Sequence, residues 1–133
     1  MTFVTDTHPF VYHITGRRNR LGRRASNAFD RVKRGQDAMI VPFTVLEEVM
    51  LLSEMGKIGL PLPFRDLVVS IRQAENFDLG VNDTELLLEA ATFTTVRDPY
   101  DRLIIAQARV AGLPLITADE RIQESGLVRT VWD

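Results

Sequence analysis

Apolar and polar positions along the chain follow two periods, and the switches between them divide it into alternating short strands and helices. Phe3, Val4 and Thr5 form a short apolar run that predicts a strand over residues 3–6. Residues 9–15 read as a helix closed by Gly16. Over residues 21–34, Leu21, Ala25, Ala28, Phe29 and Val32 recur near helical spacing until Gly35. Ala38 to Val41 is a second strand, stopped by Pro42. Val45, Leu46, Val49, Met50 and Leu52 predict a helix over 44–55 that ends at Gly56, and Pro61 and Pro63 make a turn. Helices then follow at 64–74, 83–92 and 99–110, with strands at 77–79, 114–117 and 127–132.

Strands alternating with helices predict an α/β chain: three layers, α/β/α, around a central, mainly parallel sheet. At 133 residues the expectation is one domain over 1–133, large enough to bury a core without disulfides, and Cys is absent. No apolar run reaches the ~20 residues of a membrane span. The first residues lack the basic and long apolar regions of a signal peptide. Both readings point to a cytoplasmic protein.

The formal charge is −2, so the molecule as a whole is no polycation. Its charges are nonetheless segregated. Eight of the 16 Lys and Arg lie within residues 17–34, opposed only by Asp30, and the remainder is acidic. Such a chain can hold a phosphate backbone on one surface and a cation at another; the plainer reading of the basic segment is a solvated helix face.

In open parallel sheets, sites form beyond the carboxyl ends of the strands. Asp6 and Asp119 each follow a predicted strand. Converging carboxylates repel: two unit charges ~4 Å apart at an effective dielectric of ~20 cost about 4 kcal/mol. A cluster therefore implies a bound hard cation or raised pKa values. Each acid also has a structural alternative. Thr44 with Glu47 has the form of a capping box, Asp98 precedes Pro99 as an N-cap would, and Asp83 could cap the helix that follows it. Capping and ligation are compatible, because an acid in a first helical turn can face the end of the sheet. His8 and His13 lack metal-ligand spacing, and no Gly-rich phosphate loop or nucleophile elbow is present.

Four stretches follow one another across nearly the whole chain: Phe3-Val4-Thr5-Asp6-Thr7-His8, Val41-Pro42-Phe43-Thr44-Val45-Leu46-Glu47-Glu48, Arg97-Asp98-Pro99-Tyr100-Asp101-Arg102-Leu103 and Leu115-Ile116-Thr117-Ala118-Asp119. Together, and in this order, they resemble PIN-domain toxins of the VapC type. The first resembles the family's opening, the second its second motif and the fourth its last motif, and the third is the most specific match. The resemblance implies an Mg²⁺- or Mn²⁺-dependent endoribonuclease that hydrolyses RNA with a metal-activated water. Its four acids would be Asp6, Glu47, Asp101 and Asp119, both catalytic and metal-ligating, with Glu48 one slip away from the second position. Asp98, Thr7, Thr117 and Arg102 would support them: Asp98 as a cap, the threonines by orienting a carboxylate or water, Arg102 by pairing with an acid or phosphate. Arg17, Arg18, Arg20, Arg23 and Arg24 would contact the RNA backbone.

The implied partners are RNA, a small cognate antitoxin and a second copy of the chain, in a prokaryotic cytoplasm. Phe43, Leu46, Met50, Leu51 and Met55 could line an antitoxin groove or serve the core. Two positions depart from the pattern: Val96 stands where many relatives have His, and Ala118 where many have a basic residue before the last Asp. Phosphoryl-transfer folds of dehalogenase or receiver type also place an Asp after the first strand. The first needs a second Asp where His8 stands, and the second needs a late Lys, whereas the last here is Lys57. The remaining alternative is a non-catalytic PIN-like module that holds RNA or protein.

Overall fold

The structure, a computed structural model, describes all 133 residues. The chain runs β1 (Thr2–Thr5), α1 (Thr7–Ile14), a 3₁₀ turn (Arg18–Arg20), α2 (Arg23–Lys33), β2 (Ala38–Val41), α3 (Phe43–Glu54) and α4 (Phe64–Gln73). It continues through β3 (Phe77–Leu79), α5 (Thr84–Ala91), α6 (Pro99–Ala111), β4 (Leu115–Ile116), α7 (Glu120–Ser125) and β5 (Thr130–Val131). All four strand pairings are parallel, in the order β3-β2-β1-β4-β5. Helices layered on both faces complete the predicted α/β/α architecture.

The order of strands decides where a site can form. From β1 the chain steps outward to β2 and β3, then returns past β1 to β4 and steps the other way to β5. Neighbouring strands β1 and β4 therefore send their connections in opposite directions, and a crevice opens between their carboxyl ends. A backbone bond from Asp6 N to Ile116 O (2.9 Å) fixes the register at that point.

The apolar positions read from the sequence form one connected core of 27 buried residues. Val4 and Met39 are fully buried in the two central strands, and Ile104, Ile105, Ala106 and Ala108 bury the inner side of α6. No helix is long and apolar enough to cross a membrane.

Three local expectations change. The capping box at Thr44 does not form: α3 starts at Phe43 behind Pro42, which offers no side-chain cap. The Thr44 hydroxyl is buried and instead accepts from Asn82 Nδ2 (3.1 Å), tying α3 to the loop before α5. The amphipathic helix expected over residues 21–34 begins at Arg23, behind the 3₁₀ turn, and Gly22 lies against Trp132: a Cβ there would sit 2.3 Å from the Trp132 carbonyl oxygen. That carbonyl accepts from Ala25 N (3.0 Å), serving a helix start that has no side-chain cap. Finally, α7 lies outside the elements that the sequence predicts, since six residues with one buried side chain, Ile122, carry too little periodicity to detect.

Candidate active site

Each acid at the crevice is placed by a local rule of chain geometry. Asp6 is the first residue beyond β1 and the N-cap of α1; its Oδ1 accepts from Thr7 N (2.8 Å). Its Oδ2 accepts from the Thr117 hydroxyl (2.7 Å), just beyond β4. The same hydroxyl accepts from Asp119 N (3.1 Å), so one threonine links two acids across the strand pair. Asp119 caps α7 through Arg121 N (2.8 Å) and Ile122 N (3.3 Å). Asp98 caps α6 through Tyr100 N (2.8 Å) and Asp101 N (3.4 Å), with Pro99 opening the helix and Asp101 in its first turn. The partial positive charge of these helix ends favours carboxylates there.

These groups meet. Asp6, Asp98, Asp101 and Asp119 line one cavity of about 390 Å³, together with Thr7, His8, Tyr12, Arg121 and a further acid, Glu48. Glu48 accepts from the Thr7 hydroxyl (2.7 Å). Glu47, expected as the second acid, does not line the cavity. The helical repeat gives the reason. Residues 44, 48 and 52 share one stripe of α3, and this stripe faces inward, with Thr44 buried and Leu52 lining an adjoining cavity. Glu47 shares its stripe with Phe43 and Leu51, which are exposed. Asp98, expected as a cap and as an acid supporting the site, also lines the cavity.

The electrostatics record the crowding. Burial, followed by the charges of Asp98, Asp6, Asp119 and Glu48, pushes the Asp101 carboxyl up to about 7. Burial also raises Asp6, against the opposing hydrogen bonds from Thr117 and Thr7. Glu48 is raised by burial and by the charges of Asp6 and Asp98, and is held down by the Thr7 hydroxyl. Carboxylate oxygens are the donors that hard divalent cations prefer. As the side chains stand, no three of them come close enough to grip a single ion directly. The donor set, carboxylate oxygens from several acids on one cavity, is of the kind a hard cation such as Mg²⁺ takes alongside water.

The PIN domain family model matches residues 3–126. The chain belongs to the PIN domain family. Its fold matches solved structures over nearly its full length. A VapBC complex from Rickettsia felis, bound to a DNA fragment from its promoter, covers 100% of both chains at 15% identity with a TM-score of 0.70. A DNA-bound VapBC from Salmonella typhimurium is 19% identical, covers 98% of this chain and 97% of its own, and scores 0.66. A toxin–antitoxin complex from Klebsiella pneumoniae is 16% identical, covers 96% and 94%, and scores 0.65. The comparison with curated protein sequences returns no match.

In this PIN domain the basic segment is divided by the fold. Arg17 and Arg20, with Lys57, line a cavity of about 630 Å³ that shares His8 and Tyr12 with the acid cavity. Arg18 is held within its own segment, 2.6 Å from Asp30 and 3.0 Å from the Ser26 hydroxyl. Arg24 lines a separate cavity with Phe3, Asn27 and Arg129, and Arg23 is exposed at the start of α2. Arg102 takes part in none of the four ion pairs, and its Nε donates to the Val96 carbonyl. His13 is half-buried against the core, stacked on Phe29 with ring centroids 4.5 Å apart, and burial lowers its pKa to about 4.

Three cavity residues lie outside the set that the sequence suggests. Arg121 enters only because α7 forms; Lys57 is brought from the turn after α3. Tyr12 lies one turn along α1 from His8, a spacing visible in the sequence but common to any helix.

Proposed function

We propose that this PIN domain is a divalent-metal-dependent endoribonuclease acting as the toxin of a toxin–antitoxin pair. The observation that carries this reading is the meeting of five carboxylates in one cavity at the sheet's switch point, with Asp101 raised to about 7. So many like charges brought together by separate elements are costly unless a cation offsets them. Asp6 and Asp101 would hold Mg²⁺ or Mn²⁺, with Glu48 and Asp119 completing the set. When bound, the ion supplies charge neutralisation for a phosphodiester and lowers the pKa of a water.

The chain's own groups prepare that site. Thr117 holds Asp6 and the Asp119 backbone; Thr7 holds Glu48. Asp98 organises the turn that presents Asp101. Arg17 and Arg20, in the adjoining cavity, are the members of the basic segment best situated for RNA phosphates. Neighbours in fold are VapBC and toxin–antitoxin complexes. By analogy the partners are a small antitoxin, for which the exposed Phe43, Met50 and Met55 of α3 and its end offer apolar surface, and a second copy of the chain. The setting is a prokaryotic cytoplasm.

Cleavage of RNA in Mg²⁺ or Mn²⁺ is the test. Asp6→Asn and Asp101→Asn should each reduce it by about 10²-fold or more, the scale of losing one aligned charge-stabilising group. Glu48→Gln should impair it strongly, whereas Glu47→Gln should stay near the unmodified rate. Full cleavage by both Asp variants overturns the proposal. RNA binding without any cleavage by the unmodified chain assigns the binding-module alternative.

A further inference from the structure

The acid cavity adjoins two others, and each of these carries cations. His8 and Tyr12 are shared with the cavity of Arg17, Arg20 and Lys57. A different set, Asp98, Asp101, Asp119 and Arg121, is shared with a third cavity, of about 490 Å³, that also takes in Arg97. Arg121 is the only Lys or Arg lining the acid cavity. Arg97, Arg121 and Lys57 are exposed, and none takes part in any of the four ion pairs of the molecule. Beside several carboxylates, an arginine would be expected to pair with one of them; Arg121 keeps its donors free.

We infer that a single RNA strand threads all three cavities, so that the bond at the acids is internal to the strand, with Lys57 gripping phosphate on one flank and Arg97 with Arg121 on the other. This rests on the ribonuclease reading and adds the path of the substrate and three positioning residues. Cations flanking an acidic centre solve its main difficulty, which is that the carboxylates repel the polyanion they act on. Arginine meets phosphate with a planar fork, and lysine as a point charge. The His8 and Tyr12 rings, with centroids 6.3 Å apart, stand at the junction of two cavities, where an unpaired base can stack. This favours single-stranded RNA over a duplex, whose bases are already stacked.

The path is tested with single-stranded RNAs of increasing length, bound in Mg²⁺ to the chain carrying Asp101→Asn, and with cleavage by the unmodified chain as a separate readout. Affinity should rise with length until both flanks are covered. Lys57→Ala, and Arg97→Ala with Arg121→Ala, should each remove part of that rise, about tenfold per flank. Each should also make the dependence of log affinity on log salt shallower by ~0.7 for every phosphate that is no longer neutralised. Unchanged affinity and salt slope in the Arg97 and Arg121 variant, while the unmodified chain still cleaves, overturns the two-sided path and leaves the ribonuclease reading standing. If the unmodified chain neither binds nor cleaves RNA, both fall.

Discussion

At the scale of single residues, the main consequence is that the site stores unfavourable charge. Asp101 is an acid whose folded-state pKa, about 7, lies above its ordinary 3.8. Between those values the folded protein binds more protons than the unfolded chain, so stability falls as pH rises through that window. Asp6 and Glu48 are shifted in the same direction. Metal-free protein should therefore melt at progressively lower temperature from about pH 4 to pH 7. Asp101→Asn should flatten that decline and raise the melting temperature at pH 7. A melting temperature independent of pH across this range, or lowered by Asp101→Asn at pH 7, contradicts the account. The same residues show what one sequence can convey about a site. The acids of the Asp98–Asp101 string and the ends of β1 and β4 are legible, because strand ends and helix starts are local. The choice between Glu47 and Glu48 is not, since it depends on which stripe of α3 faces inward, and both stripes carry apolar residues.

At the scale of elements, capping and site geometry are the same contacts. Asp119 both starts α7 and faces the cavity. Asn caps about as well as Asp, whereas Ala does not. Asp119→Ala should cost about 1 kcal/mol of stability in denaturant titration, and Asp119→Asn little, while both lose activity. Equal stability of the two variants would show that the cap contributes nothing. A second element-level dependence joins α2 to β5. Gly22→Ala would drive a Cβ into the Trp132 backbone, which has no flexible side chain to yield, and should destabilise by about 1–3 kcal/mol in the same assay. A neutral result would mean that the start of α2 moves freely. Neither dependence is visible in periodicity: α7 is too short, and the approach of Gly22 to Trp132 joins residues 110 positions apart.

At the scale of the whole molecule, the site is a property of strand order. Parallel strands with connections leaving β1 and β4 in opposite directions create the crevice, and five acids from four segments fill it. A cation that binds only this assembled arrangement stabilises the fold by mass action, about 2.7 kcal/mol at a hundredfold excess over its Kd. Mg²⁺ or Mn²⁺ should thus raise the melting temperature at pH 7, with the effect diminished by Asp6→Asn. Monovalent salt at matched ionic strength should not reproduce it. No stabilisation by either divalent ion at millimolar concentration would speak against cation binding.

The sequence alone determined what short-range forces control. Apolar periods set the helices and most strands, glycines ended them, and alternation of the two made the sheet parallel. Caps placed acids at the starts of helices, and the motif string around Asp101 resembled the family to which the chain belongs. Tertiary structure decided everything that depends on how one element faces another. It turned Glu48 rather than Glu47 to the acid cavity, spent the Thr44 hydroxyl on Asn82, held Arg18 with Asp30, directed Arg24 into a separate cavity, and brought Arg121 to the acid cavity and Lys57 to an adjoining one. Periodicity reports that a side chain is apolar or polar; only packing in three dimensions settles which neighbour it meets.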